Sequence, residues 1–136
     1  MRIFISINSS KYTIYTDGAC LGNPGPGGWA AIILYEKSGL KTQKVGSNIS
    51  TTNNRMEITA VIEALKTIPK NANIEVFTDS KYVINGIENW IHGWKRNNWV
   101  NSNNKKVKNK DLWLILDDLC SFYKIKWNWV KGHSGN

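Results

Sequence analysis

The feature that most restricts the fold is a change of hydrophobic period at Thr52. Upstream, KYTIYTD (11–17) alternates apolar and polar residues and is rich in β-branched and aromatic side chains, so it reads as a strand. GGWAAIILYE (27–36) is a more continuously apolar strand, and KSGL (37–40) turns the chain into a third, KTQKVGSNIS (41–50). Downstream, TTNNRMEITAVIEALKTIP (51–69) has the helical period, with Thr52 or Asn53 as N-cap and Pro69 just past the end. Three strands in close succession predict an antiparallel meander, followed by a helix.

The remaining elements extend that sheet. NIEVFTD (73–79) is a short strand of the buried type, and SKYVINGIENWI (80–91) reads as a helix capped by Ser80 or Asp79. After the polar stretch HGWKRNNWVNSNNKKVKNK come a helix, DLWLILDDLCSFY (111–123), and a strand, KIKWNWV (124–130). The right-handed crossover rule makes the fourth strand parallel to the first and its neighbour. The expectation is a single α/β domain over 1–136 with a five-stranded mixed sheet, three strands antiparallel and two parallel to the first.

Composition narrows the partners. The formal charge is +8, which favours a polyanion, and nucleic acid over membrane because no strongly basic amphipathic helix is present. Cys20 and Cys120 are the only cysteines; they make no disulfide framework and fit a reducing, cytoplasmic setting. No apolar run is long enough to span a bilayer. MRIFISINSSKYTI (1–14) is too short and mixed for a signal peptide, and Met1–Ser10 read as an N-terminal extension, either an additional strand turn or a loose segment.

Three acids carry the chemical argument. Asp17 and Asp79 each end a strand, and adjacent strands lie about 4.8 Å apart, so these carboxylates become near neighbours. Glu57 shares the helix face of Ala60, Val61, Ala64 and Ile68, the face that must pack on the sheet. A carboxylate on such a face is costly unless it is paired or binds a cation. Taken singly, each acid has an ordinary explanation: a turn for Asp17, a helix cap for Asp79, and helix-dipole compensation for Glu57. Together they form a cluster that cannot stay fully charged without a cation. Oxygen ligands with no Cys or His cluster suit Mg²⁺ or Mn²⁺. Beside a basic surface, such a site suggests metal-assisted phosphodiester hydrolysis.

YTDGACLGNPGPGGWA, TTNNRMEITAVIEAL, FTDSKYV, WIHGWK, VKNKDLW and WVKGHSG, in this order and spacing, resemble ribonuclease H of the bacterial type 1 family. The resemblance runs from about Lys11 to the end of the chain. It implies the ribonuclease H fold, with helices on both faces of the sheet. The implied activity is Mg²⁺-dependent, two-metal-ion cleavage of the RNA strand of RNA–DNA hybrids, leaving 5′-phosphate and 3′-hydroxyl ends. By position, Asp17, Glu57 and Asp79 match the family's metal-binding acids, and His133 its mobile catalytic histidine. Asn23, Thr52, Asn53 and Asn54 match polar contacts to the hybrid. Arg55 stays open between phosphate ligand and ion-pair partner.

Lys95, Arg96, Lys105, Lys106, Lys108 and Lys110 lie in a stretch without an acid, with Trp90, Trp94 and Trp99 interleaved or adjacent. This segment, about residues 90–110, resembles the family's basic handle, suited to sequence-independent phosphate contacts. Trp90 and Trp94 are candidates either for substrate contact or for packing the handle on the body, whereas Trp113, Trp127 and Trp129 read as core. Lys81 stands where the family often carries glutamine and is expected to bind phosphate. The family's last helix and fourth carboxylate would fall beyond Asn136, so the sequence reads as lacking that helix. A hybrid- or duplex-RNA-binding module with an impaired active site is therefore the alternative expectation. A monomer is expected.

Overall fold

The computed structural model describes residues 10–132. Five strands form one sheet in the order β3-β2-β1-β4-β5: β1 (Lys11–Cys20), β2 (Gly25–Tyr35), β3 (Leu40–Thr51), β4 (Asn73–Thr78) and β5 (Lys124–Trp129). β1, β2 and β3 pair antiparallel as a meander. β4 is parallel to β1 and β5 is parallel to β4, as the crossover rule requires. The helices are α1 (Asn53–Leu65), α2 (Lys81–Asn85), α3 (Ile91–Arg96) and α4 (Lys110–Cys120).

Alternation along β1 sends Ile14 and Thr16 to one face, and both are buried. Ile33 and Val76 lie opposite Ile14 in the neighbouring strands and continue that face. α1 covers it with Ile58, Val61, Ile62 and Leu65, which join Ile14, Ile33 and Val76 in one core cluster. Fully burying each such side chain contributes about 1.5–3 kcal/mol. The Tyr123 hydroxyl, 2.9 Å from Leu65 O and 2.7 Å from Ile68 O, ties the start of β5 to the end of α1. On the opposite face Tyr15, Ile32 and Val45 are exposed; none of the described helices covers them.

The helix expected over 80–91 is interrupted. Between α2 and α3 the residues Gly86–Trp90 form a π-helical turn. The turn opens on a glycine for a tertiary reason: a Cβ at Gly86 would stand 2.1 Å from the Trp113 ring. Trp113 is wholly buried, and the missing side chain at Gly86 lets the helix backbone pass directly over it. Among the described residues no helix is long and apolar enough to cross a membrane. The N-terminal extension, apart from Ser10, lies outside the described residues, as does His133.

Candidate active site

The parallel pairing of β1 and β4 sets Thr16 opposite Thr78, so the residue that follows each of them, Asp17 and Asp79, is an acid brought to the same end of the pair. Asp79 is free of the capping duty that its position allowed. Ser80 caps α2 instead, its hydroxyl accepting from the Val83 N–H at 3.1 Å. Thr52 caps α1, accepting from the Arg55 N–H at 3.3 Å.

Glu57 comes to these acids from α1. Gly18 faces the helix, and a Cβ there would stand 2.6 Å from the Glu57 nitrogen and from the Met56 carbonyl carbon. The missing side chain lets α1 approach β1 closely enough for Glu57 to join Asp17 and Asp79, the latter just past the end of β4. The sequence pattern set Asp17 at the end of its strand, but it lies inside β1, three residues before Cys20, because pairing with β2 continues past it. One carboxylate oxygen from each of Asp17, Glu57 and Asp79 lies within 4.8 Å of the others. Glu57 is only 8% exposed. Glu57 Oε1 and Asp79 Oδ1 are buried and have no hydrogen-bond partner among the described residues. Burial, then the neighbouring Asp79 and Asp17, push the Glu57 carboxyl from 4.5 up to about 8, against a smaller opposing effect of the Gly18 N–H. Unpartnered buried oxygens on clustered acids are the donor set of a hard divalent cation.

Comparison with known proteins gives the chain a family. The sequence model of the family RNase H matches residues 9–136. This chain belongs to the ribonuclease H family. It is 54% identical over 129 residues to "Ribonuclease H" of Rickettsia canadensis, covering 95% of this chain and 82% of that protein. It is also 54% identical over 127 residues to "Ribonuclease HI" of Rickettsia conorii, covering 93% and 82%. Among solved structures it is similar to LC9-RNase H1, a type 1 RNase H with the type 2 active-site motif. The TM-score is 0.80 at 30% identity, covering 94% of this chain and 66% of that one. The chain is thus a ribonuclease HI-like protein.

The other candidate residues divide in this ribonuclease H structure. The Asn23 side-chain oxygen accepts from the Asn53 N–H at 3.0 Å, joining the loop after β1 to the start of α1, where Asn53 and Asn54 are exposed. Arg55 is an ion-pair partner: it makes two bonds to Asp111, at 3.0 and 2.7 Å, and one to Asn109 at 3.1 Å. Lys95 is also engaged, 3.1 Å from the Asp117 carboxylate, whereas Arg96 is exposed. Lys105 and Lys106 line a cleft with Asn54, Trp94 and Val107. Trp94 packs against Trp113 and Trp99, with ring centroids 5.5 and 5.9 Å apart. Trp90 is 41% exposed.

Trp129 departs from its sequence reading. The strand pattern places it in the core, and its register opposite Thr78 is that of a core-facing position, yet it is 48% exposed. As the last residue of β5 it lies at the end of the sheet. Its indole N–H donates to Asp79 O at 3.1 Å, and Lys81 Nζ stands 4.6 Å from its ring centroid. Sequence reasoning missed this neighbour of the acids because period alone does not tell a strand's covered centre from its open end. The one available signal was its step to the glycine of the KGH motif.

Proposed function

We propose that this chain is an endonuclease that hydrolyses the RNA strand of RNA–DNA hybrids, with Asp17, Glu57 and Asp79 as ligands for divalent cations. The observation that carries this reading is the convergence of the three carboxylates within 4.8 Å, two of them with buried, unpartnered oxygens. The all-oxygen donor set fits Mg²⁺, with Mn²⁺ as a substitute. Two such ions, bound with substrate, would supply an activated water and charge stabilisation at the leaving oxygen, giving 5′-phosphate and 3′-hydroxyl ends.

The chain's own groups do the rest. Thr52, Asn53 and Asn54, at the start of the helix that carries Glu57, and Asn23, on the loop bonded to Asn53, offer donors and acceptors for the hybrid, including the RNA 2′-hydroxyl. Lys81, Arg96, Lys105 and Lys106 supply cationic contacts to phosphates, and the exposed face of Trp90 a surface for sugar or base. Lys95 and Trp94 serve mainly to hold the handle on the body. Gly132 lies against Asp79, since a Cβ there would stand 2.9 Å from Asp79 Oδ2, and His133, the next residue, is the proton carrier in this reading.

The test offers the chain a labelled RNA–DNA hybrid, duplex DNA and duplex RNA, each with Mg²⁺, Mn²⁺ or chelator. Cation-dependent cutting of the hybrid's RNA strand is the expected result. Retention of hybrid without cutting would make the chain a binding module, and nicking of duplex DNA would overturn the substrate class.

A further inference from the structure

We propose that Trp129 is a positioning residue whose indole holds the Lys81 ammonium beside the carboxylate cluster as a ready-made phosphate contact. The inference rests on the hybrid-nuclease reading above and adds a residue to it. The ring is fixed at one edge, where its N–H donates to the carbonyl of Asp79 at 3.1 Å. The strand beneath it is fixed too, because the next residue, Val130, donates its N–H to Thr78 O at 2.9 Å. The indole therefore moves with the backbone of a cluster acid.

Lys81 is fixed from the other side. It is the first residue of α2, directly after the Ser80 cap, and its ammonium lies 4.6 Å from the Trp129 ring centroid, within cation–π range. Among the described residues Lys81 forms no ion pair with an acid, and both Lys81 and Trp129 are exposed. An ammonium resting on a ring face keeps its charge, and the N–H donors turned away from the ring stay available to an anion. A free lysine loses much rotamer freedom when it grips a phosphate; one already held in place loses less, which strengthens binding without any new contact. The anion that fits is a backbone phosphate of the strand seated at the three acids.

The experiment measures hybrid affinity across a salt series, in an Asp17→Asn background that removes one carboxylate and leaves the pair untouched. Trp129→Leu is expected to weaken binding about threefold, the scale of one cation–π contact. It should also lower the salt slope by up to about one, the value of a single phosphate contact. Trp129→Phe keeps a ring face but loses the N–H that anchors it, and should fall between the parent and Trp129→Leu. Once Lys81→Gln is present, Trp129→Leu should not change the slope further. Ring-current shifts of the Lys81 side-chain protons in the unsubstituted chain read the pair directly, whether or not Trp129→Leu folds. A parent-like slope in Trp129→Leu, an equal effect of Trp129→Leu with Lys81→Gln present, or unshifted lysine protons overturns the inference. Absence of hybrid binding by the Asp17→Asn parent overturns the hybrid reading as well, so the two failures are distinct.

Discussion

The backbone nitrogen of Glu57 occupies the space into which any side chain at Gly18 would project, 2.6 Å from an added Cβ. The obstacle is main chain and cannot swing aside, so Gly18→Ala must lift α1 from β1 and carry Glu57 away from Asp17 and Asp79. The expected outcome is a stability loss of about 1–3 kcal/mol, the usual scale of overpacking, together with weakened Mg²⁺ binding. Denaturant unfolding and calorimetric Mg²⁺ titration check the two effects. Parent-like Mg²⁺ affinity would mean that this contact does not set the position of Glu57.

Glu57 also predicts how stability responds to pH. In the folded chain its carboxyl holds a proton up to about 8, against an ordinary value of 4.5. Between those values the folded state binds the extra proton, so stability present at low pH is lost as pH rises towards 8. In chelator, the midpoint of thermal unfolding should contain this falling component, and Glu57→Gln should remove it. Mg²⁺ favours the ionised carboxylates, so it should raise the midpoint more at pH 8 than at pH 6. Equal Mg²⁺ effects at both values would argue against ligation by Glu57.

Arg55 is expected to act through structure. Its guanidinium is engaged by Asp111 and Asn109, which bring the start of α4 against the start of α1. Asp111 is 62% exposed on its side chain, so the pair contributes at most about 1 kcal/mol. Arg55→Ala should lower the unfolding free energy by that amount and leave the salt slope of hybrid binding unchanged. A slope reduced by about one would identify Arg55 as a phosphate ligand after all.

The handle cations should not be equivalent. Arg96, Lys105 and Lys106 are exposed, whereas Lys95 pairs with Asp117 at 3.1 Å. Changing Arg96, Lys105 and Lys106 to glutamine should weaken hybrid binding and flatten its salt dependence by about one for each phosphate no longer neutralised. Lys95→Gln should change the slope less than any of them. Filter binding over a salt series separates these cases, and four equal effects would contradict the pairing seen for Lys95.

Local pattern carried the strands, the meander and α1, because alternation and helical period are properties of neighbouring residues. The crossover rule then brought Asp17 beside Asp79, and an acid on an apolar helix face marked Glu57. What the sequence could not show depends on contacts between distant segments. The glycine at 86 answers to Trp113, twenty-seven residues later. Lys95 is occupied by an acid on α4, and Arg55 by residues at the start of that helix. Whether Ser80 or Asp79 capped α2 was equally open, since either side chain could accept the bond.

The answer to that last question shapes how the protein can be handled. Because the hydroxyl of Ser80 caps the front of α2, the neighbouring acid is not the cap that keeps the helix wound. Replacing Asp79 with asparagine should therefore silence the chemistry while leaving the scaffold intact, a decoy that still grips its substrate and lets the engaged complex be caught at leisure.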